Sequence, residues 1–328
     1  MIIRDFAFAA TAAMTICASL PAIAQETSIS MADGAVEIHG GFGILALNAN
    51  EIIYTGPGSS NEISHLFWSS RSPMLAAGFG VNLPEGWTLD VNAQVALSGD
   101  GYMEDYDWFG PDFVSYNFDD WTHRSQSDAT NLDWYFNGSV LVGRDLQIME
   151  NVTLNLNGGL KYTDVQWAAY GGTGVYSDQV TDYPGNNFRA YQGSVSTDVL
   201  GITYQQRYPA LIVGLDTEIV QEAWTFDFSA HAGMTFNASA TDDHWLRDLR
   251  ILDSLQMAPI VTLAAKAEYQ VSDGMSLFVG GSLEKVFVAR GDKQWWENGV
   301  LIPYFNSADS SGTDLFAASI SGGVKGTF

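Results

Sequence analysis

The 328-residue chain has one cysteine, Cys17, and few basic residues, 14 Lys and Arg against 38 Asp and Glu, for a formal net charge of −24. One cysteine can form no internal disulfide. Cys17 lies in an N-terminal segment expected to be removed, so thiol catalysis and a thiolate metal site are excluded for the mature chain. The acidic balance repels phosphate backbones, which argues against nucleic acid as a partner and favours cationic ones. Beyond residue 24 no run of 18 or more residues is apolar, so no helix is expected to cross a membrane.

Glycine and aromatics are plentiful instead: 33 Gly, 10 Trp, 14 Tyr and 18 Phe. The chain opens with Arg4, a short apolar run from Phe6 to Leu20, and Pro21-Ala22-Ile23-Ala24, a small-x-small ending. That is the pattern of a secretory signal peptide over residues 1–24, cut before Gln25. An exported, aromatic-rich chain of balanced hydropathy fits a membrane β-barrel, where lipid-facing and lumen-facing residues alternate and cancel in the average.

Alternation is long and nearly free of errors. Trp87, Leu89, Val91, Ala93 and Val95 share one face, with Thr88, Asp90, Asn92 and Gln94 on the other. Trp224 to Phe236, Val152 to Leu160 and Val261 to Tyr269 repeat the pattern, the signature of two-sided strands. Short turns near 83–86, 145–151, 221–223 and 271–274 alternate with long polar stretches near 55–62, 99–129, 171–195, 241–256 and 291–313. Four turns and five loops predict ten antiparallel strands over residues 25–328, an all-β transmembrane barrel with short periplasmic turns and long extracellular loops. Phe316 to Phe328 is a last alternating strand that can close the ring. A ten-stranded barrel should be close to filled by its side chains, which disfavours a general pore.

Two polar stretches carry candidate chemistry. One holds Met103-Glu104-Asp105-Tyr106-Asp107-Trp108, the other Asp242-Asp243-His244-Trp245. Residues i and i+2 of an extended chain share a face, so Asp105 projects with Asp107, and Asp242 with His244. On strands 3 and 7 of ten, the two pairs can face each other over the barrel mouth. His244 could then take a proton from water while Asp242 orients its ring. Asp105 and Asp107 would share protons and hold the same water. A metal held by His244 and three aspartates is a rival, disfavoured because only one histidine is near. The plain alternative is solvated loop carboxylates beside an inert histidine, and spacing does not separate these readings.

At these residues the sequence resembles the omptin family of outer-membrane endopeptidases. Met103 to Trp108, Trp121 to Thr130, Asp242 to Trp245, Asn50 to Tyr54 and Gly201 to Arg207 match family segments in order along the chain. The resemblance implies a ten-stranded barrel and a water nucleophile without covalent intermediate or catalytic metal. Asp105, Asp107, Asp242 and His244 would be the catalytic residues. It further implies substrate contacts at Glu51 and Ser125, a cationic peptide or protein substrate, and lipopolysaccharide as an activating lipid bound partly by Arg207. The departures bear on specificity. Ala240 and His123 stand where acids are expected, Ser127 replaces a histidine, and Gln166 and Ala258 replace lipid-binding bases. A non-catalytic barrel that binds cationic partners through acidic loops is the alternative function.

Overall fold

The computed structural model describes residues 35–110, 112–177, 188–303 and 307–328. The expected signal segment 1–24 lies outside them. Fourteen strands form one antiparallel sheet: β1 (Val36–Tyr54), β2 (Glu62–Leu83), β3 (Trp87–Ala96), β4 (Gly99–Asp107), β5 (His123–Met149), β6 (Val152–Tyr176), β7 (Tyr191–Gln221), β8 (Trp224–Thr235), β9 (Ser239–His244), β10 (Leu249–Leu255), β11 (Pro259–Ser272), β12 (Met275–Glu297), β13 (Val300–Leu301) and β14 (Ser307–Thr327). Strands β3 and β4, β8 and β9, and β10 and β11 are each one stave interrupted by two or three residues. Counted so, and leaving out the two-residue β13, the staves number ten. β14 pairs with both β12 and β1, so the sheet closes into a barrel. Among the described residues, helix is confined to three-residue 3₁₀ turns.

Alternation sorts the side chains. Near the turn end, Phe42 and Ile44 on β1, Leu75 on β2, Leu211 and Val213 on β7 and Ile320 on β14 are exposed on the outer wall, forming an apolar belt for lipid. At its lower rim Trp224 packs against Tyr269, ring centroids 5.0 Å apart, an aromatic girdle. Glycines let the closing strands approach. A Cβ on Gly323 would lie 2.1 Å from the carbonyl oxygen of Gly40 across the β1–β14 seam.

The staves rise far beyond the belt. Most of the stretches expected as loops at 99–129, 171–195, 241–256 and 291–313 are strand. They read as loops because a strand standing in water on its outer face has no apolar period to display. The turns at the other end fall where expected.

Inside, the barrel is plugged at mid-height. Trp68 stacks on Tyr204 at 5.4 Å between ring centroids and lies 6.0 Å from Trp167, all three fully buried. Below them the Lys161 Nζ meets Glu284 Oε2 at 2.7 Å, and Asn137 and Thr163 donate to the same carboxylate at 2.7 and 2.8 Å. A cavity of about 1170 Å³, lined by both polar and apolar side chains, extends from there to the turns. The filled middle agrees with the size argument, and it separates this lower cavity from the mouth above.

The Lys161–Glu284 pair yields a test. Lys161→Met leaves a buried carboxylate without its cation and should lower stability by about 3–5 kcal/mol. Adding Glu284→Met should recover most of that loss. Urea midpoints of the folded barrel in detergent measure both, and a single variant as stable as the parent would refute the pairing.

Candidate active site

Above the plug, four strands, β1, β4, β9 and β10, turn acidic side chains inward. On β4 the register sets Asp105 opposite Leu66 and Ser125, and Asp107 opposite Ser64 and His123. Both carboxylates point into the mouth. The alternate residues Glu104 and Tyr106 face outward, where Glu104 pairs with Arg124. The outward side braces β4: Tyr106 packs on Phe118 at 4.9 Å, and Trp108 Nε1 donates to the Asn117 carbonyl at 2.9 Å. The chain between β4 and β5 is thereby folded against the wall, and Thr122 N donates to the Asp107 carbonyl at 2.7 Å.

Across the mouth, β9 presents Asp242 and His244 inward. Asp242 is 2 % exposed, and its Oδ2 lies 2.6 Å from His244 Nε2. The other ring nitrogen, Nδ1, lies 2.6 Å from Arg247 Nη2. Asp243 takes the opposite face and pairs with its cross-strand neighbour Arg250, Nε to Oδ1 at 2.5 Å. The expected i, i+2 pairing of Asp242 with His244 on one face is what the strand shows.

Beneath Asp242 lies a charged floor. Glu51 on β1 is 1 % exposed, and Asp253 on β10 is buried opposite Ala240 and next to Lys293 of β12. Glu51 Oε2, Asp242 Oδ1 and Asp253 Oδ1 are buried and accept no hydrogen bond from the protein. Asp253, Lys293 and Arg247 escaped the sequence reading. Asp253 and Lys293 sit in two separate stretches read as loops, 241–256 and 291–313, and only the register brings them together.

These carboxyls hold protons more tightly than usual. Burial first, then the charges of Asp242, Asp253 and Asp105, push Glu51 well above the ordinary carboxylate range. Burial and the facing Asp242 raise Asp105 to about 6, against the pull of His244. Asp107 is raised well above its ordinary range by burial and by Asp105. Asp253 is raised to about 6 by burial. Burial lowers Lys293 against the attraction of Asp253, Glu51 and Asp242.

The structure thus brings Asp105, Asp107, Asp242, His244 and Glu51 into one mouth, with Ser125 beside Asp105. Ser127 is buried and donates to the Gly171 carbonyl at 2.7 Å, a bond within the wall. Arg207 is elsewhere: it faces outward just above the lipid belt, 3.7 Å from Asp164. Among the described residues no group of three or more His, Cys, Asp or Glu side chains is disposed to hold a metal ion.

A closed ten-stave barrel with an apolar belt and a carboxylate-lined mouth defines the class of outer-membrane β-barrels. Residues 32–328 match the model of the Omptin family, and the chain belongs to that family. It is 26% identical to the plasminogen activator of Yersinia pestis over 285 residues, covering 85% of this chain and 83% of that protein. Protease 7 of Escherichia coli K12 is 21% identical over 328 residues, with 96% and 97% covered. The outer membrane protease IcsP of Shigella flexneri is 22% identical over 291 residues, with 85% and 83% covered. The crystal structure of the outer membrane protease OmpT from Escherichia coli superposes with a TM-score of 0.80 at 19% identity, covering 92% of this chain and all of that one, a likeness of fold. The chain is accordingly an outer-membrane protein of a family whose named relatives are proteases.

The raised carboxyls predict a stability that falls with pH. A group whose pKa is raised by folding favours the fold while protonated. Its contribution is complete below about pH 4 and is lost as pH rises through about 6 for Asp253. Asp253→Asn should match the parent near pH 4 and exceed it by up to about 3 kcal/mol at pH 8. Unfolding midpoints across that range decide the matter; a variant no better at pH 8 than at pH 4 would refute the assignment.

Proposed function

We propose that the protein is an outer-membrane endopeptidase that activates water with an Asp242–His244 dyad and the Asp105–Asp107 pair. Its mouth would open to the cell exterior, as short turns and long staves are disposed in such barrels. The observation that carries the proposal is the buried Asp242 held 2.6 Å from His244 across the mouth from two carboxyls. Asp242 accepts from Nε2–H, which leaves the Nδ1 lone pair for a proton from water. Asp105, ionised above about pH 6, holds that water. Asp107, whose protonated form is favoured by burial and by Asp105, can donate to the carbonyl oxygen as it becomes an oxyanion.

The steps balance simply. Water oxygen bonds to the scissile carbon, one water proton passes to Nδ1, and the carbonyl electron pair moves to oxygen. Collapse re-forms the carbonyl and breaks the C–N bond, and the Nδ1 proton leaves on the amine. Aspartic chemistry here means carboxyls that position and polarise, with the histidine as the base. No bound cofactor enters these steps.

Substrates with a cationic side chain suit the floor, where Glu51, Asp242 and Asp253 outnumber Lys293 and leave three oxygens without donors. Lipopolysaccharide is proposed as an activating lipid on the strength of Arg207, half-exposed on the outer wall above the belt. Ala258 is fully buried and offers no such contact.

The test is cleavage of a fluorogenic peptide library by the folded protein, with and without lipopolysaccharide. Asp242→Asn and His244→Ala should each lower kcat by about 10³–10⁴-fold while the barrel stays folded. Activity within tenfold of the parent in both variants would sink the mechanism. No cleavage by the parent in any lipid would favour the non-catalytic binding barrel. Glu51→Gln should reduce kcat/KM for Lys- and Arg-containing peptides by roughly tenfold or more, the worth of one charge-assisted hydrogen bond, and leave neutral peptides nearly unaffected. Equal losses on both peptide classes would show that Glu51 does not read substrate charge.

A further inference from the structure

We infer that Arg247 gates the general base, covering the one nitrogen of His244 that can take a proton until substrate displaces it. The inference rests on the hydrolytic reading above and adds a residue to it. Both ring nitrogens of His244 are engaged at 2.6 Å, Nε2 by the Asp242 carboxylate and Nδ1 by Arg247 Nη2. A guanidinium is always protonated and has donors only, so Nδ1 can meet it only with a lone pair. The ring is therefore neutral, with its hydrogen on Nε2 toward Asp242 and its single lone pair occupied.

The same guanidinium acts on the far side of the mouth. The groups around His244 are Asp242 on its own strand, Asp105 and Asp107 on β4, and Arg247 itself. Arg247 is a cation felt by both Asp105 and Asp107. It thus occupies the one ring nitrogen that the attacking water must reach, within electrostatic range of the aspartate pair. Water cannot give a proton to a nitrogen that is already accepting one from arginine.

Arg247 is also easily moved. It is exposed, at the end of the 3₁₀ turn Trp245–Arg247, which Asp248 closes in a left-handed conformation at φ 48°. Among the described residues no carboxylate forms an ion pair with it, and its one side-chain hydrogen bond is to His244. A peptide in the mouth, offering carbonyl oxygens to the guanidinium, would draw it off and free Nδ1.

Two readouts test this. Diethyl pyrocarbonate attacks an uncovered imidazole lone pair, and mass spectrometry can follow His244 against His65 of the same molecule. Arg247→Ala should carbethoxylate His244 several-fold faster than the parent and raise kcat/KM on a cleaved peptide several-fold. Arg247→Lys, which keeps a cationic donor group on a shorter reach, should fall between on both. An unchanged rate of His244 modification in Arg247→Ala would overturn the gate. So would faster modification with a lower kcat/KM, since turnover would then require the guanidinium. If the parent cleaves no peptide the protease reading fails, while the modification rate still decides whether Arg247 covers Nδ1.

Discussion

The structure depends on one constraint: in hydrocarbon every backbone N–H and C=O must be paired within the protein. A sheet meets it only by closing, and here closure is the antiparallel seam of β1 with β14, continuous from Glu37–Thr327 to Ile53–Ser311. Closure removes both sheet edges and makes the side of every residue a matter of parity. Outward residues in the belt must be apolar, and inward ones may be polar. The glycines at the seam follow from the same demand, since Gly323 and Gly43 sit where a side chain would strike a carbonyl across it.

That parity reaches the mouth. Because the staves continue unbroken in direction above the belt, Asp105 and Asp107 stay inward with Met103, and Asp242 and His244 stay inward with Ala240. The site is built on strands rather than flexible connections, so its groups keep their geometry before substrate arrives. The aromatic plug of Trp68, Trp167 and Tyr204 closes the space beneath. It turns what could be a channel into a blind pocket, and blindness raises the pKa of the carboxyls by denying them water.

Much of this was legible in the sequence, and what was not has physical reasons. The staves were readable wherever lipid wets one face, as in Trp224–Thr235 and Val152–Leu160, because the apolar–polar period is strongest there. The upper strands Gly99–Asp107 and Leu249–Leu255 were not: the first is mostly polar on both faces, and in the second the short apolar period of Leu249, Ile251 and Leu255 is broken by Asp253. The i, i+2 pairs survived this blindness because local geometry alone decides them. Lys293, Asp253 and Arg247 could not be found that way. Asp253 lies beside Lys293 by cross-strand register, and Arg247 meets His244 through the turn that ends β9. Arg207 lies on the outer wall, where a lipid-contacting residue is expected, and the structure adds its partner there, Asp164.

The two walls of the same strands treat charge differently, and the difference sets the mouth apart. Outside, several carboxylates each have a base beside them: Asp243 with Arg250, Glu104 with Arg124, Asp314 with Lys285, Asp164 with Arg207. Inside the mouth, Glu51, Asp105, Asp107, Asp242 and Asp253 share Lys293, Arg247 and one histidine. Adjacent residues make the contrast sharp, since Asp243 is paired by its cross-strand neighbour while Asp242 keeps a buried oxygen with no donor. An excess of buried carboxyls opposes folding at neutral pH, and the outer wall shows that this chain has bases in register where pairing is wanted. The fold supports the imbalance because a rigid closed sheet does not yield to it. Under the proposed function, a cationic substrate in that mouth would relieve the repulsion that folding leaves in place, and the same excess that weakens the empty protein would become binding energy when the mouth is filled.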